Sequence, residues 1–415
     1  MLPRRFTRMR LFFSILSGLV MILGGLSACS SNQGPQFTNS NPITIGISLS
    51  LTKDFAQDGQ AMKQGYQLWA DLLNQRGGLL GRPVQLNILD DKSDPDQVAK
   101  NYETLISQDH VDLVLGPFSS LLTKGAAPVI QKHGYAFIEG AGGAPSVFDK
   151  HWNNLFDVSL PVQNNLLTFA YYILSLPPDQ RPHTAAYVSS DDPFTFPQVQ
   201  LVQQLLERGG IRTLFPYTQY PEGNDPTPFA RKIAQAHPDM VVLGTLLPDI
   251  QTEVKVFKQM HYNPKAMIAT AGPDLGQDFV KAVGGVKYTE GVFVPNGWYP
   301  QANNFENATM VQAYTARYNV TPDQINGDVA EAFSAGQVLE QAVTKLGKID
   351  NAAIIRELHS GEVFNTVQGT VVFAADGENT DAIAYLFQWQ NGQFIPVYPL
   401  TASQQNPEYP KPVDF

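Results

Sequence analysis

The sequence has a single cysteine and few positive charges. Cys29 is its only cysteine, so no disulfide can form within the chain and stability depends on packing. Lysine and arginine number 28 against 38 aspartate and glutamate residues, and the formal net charge is −10. Because nucleic-acid backbones attract clustered basic side chains, this balance argues against a nucleic-acid partner. The 7 histidines are scattered without metal-ligand spacing, so no metal site is predicted.

Signals for catalysis are also missing. The sequence contains neither the zinc-protease motif H-E-x-x-H nor the hydrolase motif G-x-S-x-G. The aspartate pairs at 90–91 and 191–192 follow predicted strands, and we interpret them as solvated turn residues. The glycines at 142 and 143 lack the context of a phosphate-binding loop or a dinucleotide fingerprint. We therefore predict a protein that is not an enzyme and has no cofactor, with an esterase- or amidase-like enzyme using Ser120 as the weaker alternative.

The one long apolar run lies near the N-terminus. Four arginines in the first ten residues precede an apolar run at 11–26 and then Cys29. This order is typical of a secretory signal, and the small residues before Cys29 resemble the bacterial lipobox. We predict a signal peptide at 1–28, lipidation of Cys29, a flexible tether at 29–42 and an exported protein held at the cell-envelope membrane by its lipid. The alternatives are a membrane-spanning helix, for which the run is short and broken by glycines, and a structural or catalytic cysteine.

The rest of the chain alternates strand-like and helical patterns. Its length exceeds what one hydrophobic core usually serves, so two domains are expected. Such alternation is typical of an α/β fold with parallel sheets and right-handed crossovers. The pattern occurs twice, with strands predicted at 43–48, 84–90, 111–116 and 135–138, and again at 184–190, 211–217, 239–244 and 266–270.

The C-terminal third has a different pattern. Long helices are predicted at 304–318 and 326–346, followed by a strand at 370–373. A hairpin is predicted at 383–397, because Asn391-Gly392 between apolar runs is a strong turn signal.

Two loops of the first half are candidates for a ligand site, since ligands of open parallel sheets bind beyond the carboxyl ends of the strands. Ser119 and Ser120 follow the third predicted strand at the start of a helix, where free N–H groups and hydroxyls suit a carboxylate. The alternative is that these serines only cap the helix. Ala141, Gly142 and Gly143 follow the fourth strand, and their backbone N–H groups are predicted to face a ligand.

Several segments, in this order, resemble type I periplasmic binding proteins, specifically the branched-chain amino acid (leucine/isoleucine/valine) group of ABC-transporter substrate-binding proteins. The resemblance covers essentially the whole chain after the signal. It is carried by residues 45–52, 57–60, 74–81, 90–95, 114–117 with Ser119 and Ser120, 365–369, and 376–377.

This resemblance implies two Rossmann-like lobes, with parallel sheets flanked by helices, joined by three crossing hinge segments. We expect the crossings near 157–160, near 294–298 and between 370 and 385. The predicted lobes are 43–158 with 296–375, and 159–295 with 376–415.

The resemblance also implies ligand-binding residues. In amino-acid-binding members a serine matching Ser120 and the backbone matching Ala141 hold the ligand's carboxylate, and a threonine stands where this chain has Gly143. Tyrosines occur where this chain has Asp58 and Leu246, and another aromatic residue occurs near Phe194. The acid expected to meet the ligand's ammonium falls near Ala271, with Asp274 close by. Either Asp58 or Asp274 meets the ligand's ammonium instead, or the ligand is not a standard α-amino acid but a small carboxylate or amide-like molecule. We predict that its apolar body is packed by Phe118, Phe194 and Leu246.

The function implied is that of a lipid-anchored receptor that delivers a small carboxylate-bearing ligand, an amino acid or a related compound, to an ABC permease. The alternative is a ligand sensor of the same fold coupled to signalling, since fold alone does not set function.

Overall fold

The computed structural model describes residues 37–214, 217–382, 384–400 and 405–412. The predicted signal peptide, Cys29 and the first part of the predicted tether lie outside these residues. Among the described residues, no helix is both long and apolar enough to cross a membrane.

The first part of the chain forms a five-stranded sheet in the order β2-β1-β3-β4-β5, and all neighbouring strands are parallel. β1 is almost wholly buried, as expected of a parallel strand covered by helices on both faces. The strands are β1 Ile43–Leu49, β2 Val84–Asp90, β3 Leu113–Leu115, β4 Phe137–Glu139 and β5 Leu155–Asp157, and the helices are α1 Ala56–Gln75, α2 Pro95–Ser107, α3 Ser120–His133 and α4 Pro145–Phe148.

The middle of the chain forms most of a second sheet, whose strands in this part are also parallel. The helices are α5 Leu167–Ser175, α6 Thr195–Arg208, α7 Thr227–Ala236, α8 Leu247–Gln259 and α9 Gln277–Val283, and the strands are β6 Thr184–Ser190, β7 Arg212–Thr213, β8 Thr218–Tyr220, β9 Met240–Gly244, β10 Ala266–Ala269 and β11 Val292–Asn296.

The last part of the chain contributes to both halves. Its helices pack with the first sheet, and its last two strands extend the second sheet by antiparallel pairing to β11. The elements are α10 Asn307–Tyr318, α11 Gly327–Leu346, α12 Asn351–Leu358, β12 Phe364–Thr366, β13 Gly369–Val371, β14 Tyr385–Gln390 and β15 Gln393–Tyr398.

Each sheet has an apolar core on both of its faces. We call the first sheet with α1–α4 and α10–α12 lobe 1, and the second sheet with α5–α9 lobe 2. The predicted α/β fold with two parallel-sheet lobes is confirmed. The chain passes between the lobes after β5, after β11 and between β13 and β14, where the crossings were expected; the residue limits given for the lobes stay predictions.

Candidate ligand-binding cleft

A cavity of about 770 Å³ lies between the two lobes. It is lined by the loops that follow β1, β3 and β4 in lobe 1 and β6, β9 and β10 in lobe 2. These loops leave the carboxyl ends of parallel strands, which is where open α/β sheets bind ligands. The volume is in the range of small-molecule sites.

Most of the residues selected from the sequence meet at this cavity. Its lining includes Asp58, Phe118, Ser119, Ala141, Gly143, Phe194, Leu246, Ala271 and Asp274. Ser120 and Gly142 do not line it: Ser120 is fully buried at the first position of α3, and a Cβ on Gly142 would lie 2.5 Å from Thr123 Oγ1 and 2.7 Å from Glu139 Oε1. The binding roles given to all of these residues stay predictions.

The turn between β3 and α3 holds hydroxyl groups that have no partner. Ser119 has φ +84°, an uncommon conformation for a residue with a side chain. The Ser119 side chain makes no capping hydrogen bond, which excludes the simple capping alternative for this residue. The hydroxyls of Ser119, Ser120 and Thr123 are buried without a hydrogen-bond partner in the described part of the chain. This end of α3 is therefore able to donate hydrogen bonds to a bound group.

The turn after β4 is shaped by two buried carboxyl groups. Ala141 N donates to Glu139 Oε2 at 2.8 Å, so the backbone N–H expected to hold a ligand carboxylate already has an acceptor in the chain. A Cβ on Gly143 would lie 2.3 Å from Asp157 Oδ2. A side chain at position 143 would therefore collide with the Asp157 carboxyl group unless one of them moved.

Three carboxyl groups of lobe 1 face the cavity together. Asp58 lies in the first turn of α1, and Asp328 and Glu331 lie at the start of α11. Asn326 caps α11 by accepting from Asp328 N, which sets where the helix begins. Burial, and then the negative charge of Asp58, raises the pKa of Asp328 well above its usual range.

Asp274 brings a fourth carboxyl group from lobe 2. It lies in the short turn after β10, where Oδ1 accepts from Gly272 N at 2.7 Å. Burial raises the pKa of Asp274 to about 6. Burial, and then the negative charge of Asp274, raises the pKa of Asp58 to about 7. We call Asp58, Asp274, Asp328 and Glu331 the inner acidic cluster.

The same causes act on the other buried acids of this region. Burial, followed by the charge of Asp157, raises the pKa of Glu331 to about 8 and that of Glu139 well above its usual range. Burial raises the pKa of Asp157 itself to about 7. All of these carboxyl groups hold protons more tightly than solvated acids do.

The sequence interpretation of the aspartate pairs was wrong for one member of each pair. Asp192 is 2% exposed and lines the cavity, and its Oδ1 accepts from Phe194 N and Thr195 N at the start of α6. Asp91 is fully buried and accepts from the hydroxyls of Ser48 and Ser50. Both are structural acceptors rather than solvated turn residues.

Sequence reasoning also missed Asp328 and Glu331. Both belong to α11, a helix that the sequence predicted. Its N-terminal end reaches the cavity because α11 packs against α1, and this packing could not be read from the sequence. The signal available was a capping Asn326 followed by acids in the first turn. In the described residues no cluster of His, Cys, Asp and Glu has the arrangement of a metal site.

Comparisons with known proteins agree with this architecture. The model of the periplasmic binding protein family matches residues 42–393. The Leu/Ile/Val-binding protein homolog 3 of Brucella melitensis is 21% identical over 354 residues, which cover 85% of this chain and 93% of that protein. The chain is also similar to LivJ, the branched-chain amino acid transporter substrate-binding protein of Streptococcus pneumoniae, which was solved in complex with isoleucine. The TM-score is 0.75 at 19% identity, and the match covers 85% of this chain and 98% of LivJ.

A solute-binding protein of an R. palustris ABC transporter, solved in complex with benzoate, has TM-score 0.73, 17% identity and coverage of 86% of this chain and 95% of that one. Similar folds thus hold chemically different solutes. The chain belongs to the periplasmic binding protein family, as its sequence predicted, and it is a solute-binding protein of the kind that ABC transporters use and not an enzyme.

Proposed function

We propose that the protein captures a small amino-acid-like solute in the cleft between its lobes and delivers it to an ABC permease. The observation that carries this proposal is the cavity of about 770 Å³, which is lined from both lobes at the carboxyl ends of their strands. A ligand that contacts both walls favours the closed arrangement, and closure gives the permease a shape to recognise. Relatives that bind leucine, isoleucine and valine support an amino-acid-like ligand.

The prediction of a carboxylate on the ligand is supported by the unpartnered hydroxyl of Ser119 at the N-terminal end of α3. Glu139 lies behind the next turn, and burial followed by the charge of Asp157 raises its pKa well above the usual range, which favours its neutral form. A neutral carboxyl group does not repel a ligand carboxylate as an ionised one would.

The experiment is small-angle scattering on the purified protein with and without a panel of amino acids, amines and small carboxylates. We expect at least one compound that also gives heat in calorimetric titration to reduce the radius of gyration. If a compound binds tightly but leaves the scattering unchanged, closure on the ligand is excluded. Loss of cellular uptake of that same compound after deletion of the gene separates transport from sensing.

Lipid anchoring through Cys29 is part of the proposal and is supported by the resemblance to the lipobox. Intact-mass measurement of the membrane-bound protein should give a chain that begins at Cys29 and carries acyl groups. Replacement of Cys29 by alanine should remove the acyl groups from the measured mass, and an unmodified mass for the chain with Cys29 intact would exclude the anchor.

A further inference from the structure

We propose that the ligand carries two positively charged amino groups separated by an apolar chain, the chemistry shared by basic amino acids and aliphatic diamines. This inference deepens the proposed function and rests on it.

The charge of the cavity wall is the first observation that supports it. Among the described residues, eight carboxyl groups line the cavity, and Lys53 is the only basic residue there. The eight are Asp54, Asp58, Asp192, Glu222, Asp249, Asp274, Asp328 and Glu331.

The inner acidic cluster joins the two lobes. Asp58, Asp328 and Glu331 belong to lobe 1, whereas Asp274 belongs to lobe 2, and the charge of Asp274 acts on each of the three. Like charges brought together across a cleft oppose its closure. A ligand ammonium between them removes that opposition and attracts both lobes.

An independent observation at this cluster also points to a cation. Asp157 is 1% exposed, and its Oδ1 accepts from Ser159 while its Oδ2 has no hydrogen-bond partner among the described residues. A Cβ on Gly143 would lie 2.3 Å from Oδ2, and Gly143 lines the cavity whereas Asp157 itself does not. The charge of Asp157 also reaches Glu331. A buried carboxylate oxygen without a donor, separated from the cavity only by a glycine, is an available acceptor behind the cavity wall.

The chain supplies no countercharge for these groups. The ion pairs in the described part of the chain involve none of the inner cluster, nor Asp157 or Glu139. Lys53 is exposed. The four acids of the inner cluster are half-buried, whereas Asp157 and Glu139 are buried. Desolvated charges without partners are unfavourable, and protons or a cationic ligand would stabilise them. The arrangement of the described residues does not suit a metal ion.

The remaining four acids provide a second position for an amino group. Asp54, Asp192, Glu222 and Asp249 line the cavity, and we call them the outer acidic cluster. Asp192 is buried and Asp249 is half-buried, whereas Asp54 and Glu222 are exposed. Phe118, Phe194 and Leu246 also line the cavity. Two acidic clusters in a cavity that also has apolar walls match a molecule with two ammonium groups on a hydrocarbon chain.

Calorimetric titration of the full-length protein tests this inference with lysine, 1,4-diaminobutane, butylamine, leucine, valine and CaCl₂ as probes. We expect lysine or the diamine to bind at least about tenfold more tightly than leucine, valine or butylamine. If the protein binds lysine more tightly than 1,4-diaminobutane, it contacts the carboxylate of the ligand. If it binds the diamine more tightly, such a contact is excluded. Tighter binding of leucine or valine overturns the inference but leaves the proposed function standing. Binding of Ca²⁺ alone, or of no probe that carries two amino groups, also overturns it.

Isosteric variants locate the two contacts. Asp274→Asn keeps the oxygen that accepts from Gly272 N, and Asp249→Asn keeps an oxygen able to accept from Leu246 N. Each variant should bind the doubly charged probe at least about tenfold more weakly than the unaltered protein does. Butylamine has a single amino group, so one of the two variants should bind it with nearly unchanged affinity. Asp323→Asn, an exposed residue of lobe 1 outside the cavity, is the matched control. Equal affinity of all three variants and the unaltered protein would refute the assignment.

Discussion

Gly143 lacks a side chain because a neighbouring carboxyl group fills the space. Asp157 comes from the end of β5, and Ser159 holds its Oδ1 through both its backbone N–H and its hydroxyl. The Asp157 side chain therefore cannot turn away to admit a Cβ at position 143. Since Leu160 O would also lie 3.2 Å from that Cβ, the backbone limits the space from another side.

Replacement of Gly143 by alanine should destabilise the protein. The new Cβ would lie 2.3 Å from Asp157 Oδ2, so the buried carboxyl group or the turn must move. We expect a loss of about 1–3 kcal/mol in the free energy of unfolding, measured by urea denaturation.

The matched control for this variant is Gly297→Ala, which also lines the cavity. A Cβ there meets only Gln368 Nε2, at an ordinary contact distance of 3.5 Å. Its stability should change by less than about 0.5 kcal/mol. If Gly143→Ala were as stable as Gly297→Ala, the space at position 143 would not be filled by Asp157 as described.

Burial decides which acids could be identified from the sequence. Asp58 and Asp274 were selected because they fall where related proteins contact their ligand. Asp192 was misinterpreted because an aspartate after a strand is usually solvated, and only the tertiary structure places it at the start of α6 and inside the cleft. Asp157 was named only as part of a crossing, since its approach to Gly143 depends on the pairing of β4 with β5.

At the scale of elements, the pairing of α1 with α11 creates the inner cluster in lobe 1. The sequence predicted both helices but not their contact, because periodicity identifies an apolar face and not its partner. Two glycines allow the close approach: a Cβ on Gly65 would lie 2.3 Å from Val329 O, and one on Gly336 would lie 2.3 Å from the Trp69 ring. This approach brings Asp58 to Asp328.

The predicted strands were most accurate where the local signal was strong. Asn391 and Gly392 both have positive φ and join β14 to β15, as an Asn-Gly hairpin requires. The single strand predicted at 211–217 was wrong: the structure has β7 and β8 instead, and both pair with β6. Pro216 lies between them in the sequence, and proline cannot donate a hydrogen bond to a sheet.

At the scale of the molecule, closure and proton binding are coupled. Without ligand, the inner cluster reduces its repulsion by holding protons, whereas a bound cation reduces it by supplying positive charge. Protons and ligand therefore compete, and ligand binding releases protons. The titratable groups that face the inner cluster are Asp157 and Glu139, together with Tyr66, whose pKa is raised by burial and then by Glu139 and Glu331.

This competition predicts how stability depends on pH. The pKa values of Asp58 and Asp157 rise from 3.8 to about 7, that of Asp274 rises to about 6, and that of Glu331 rises from 4.5 to about 8. Between pH ~4 and about 8 the folded state therefore binds protons that the unfolded chain has already released. The free energy of unfolding that these protons contribute is fully present below pH ~4 and is lost as pH rises to about 8. The ligand-free protein should lose at least about 2 kcal/mol of unfolding free energy between pH 5 and pH 8.

Melting temperatures measured between pH 5 and pH 8 test this loss of stability. The proposed doubly charged ligand makes a second prediction for the same measurement. A doubly charged ligand should raise the melting temperature most at pH 8, where it replaces missing protons, and least at pH 5. Asp58→Asn should flatten the dependence of melting temperature on pH in the ligand-free protein, because asparagine does not titrate. Asp323→Asn should not alter this dependence.

Glu103 does not interfere with the measurement. Its hydrogen bond with His133 is the main cause that lowers its pKa to about 2, so its contribution to stability changes only below pH 5. A melting temperature that rose steadily from pH 5 to pH 8 without ligand would show that the cleft acids are ionised and solvated, and the repulsion across the cleft would then be too weak for a cation to control closure.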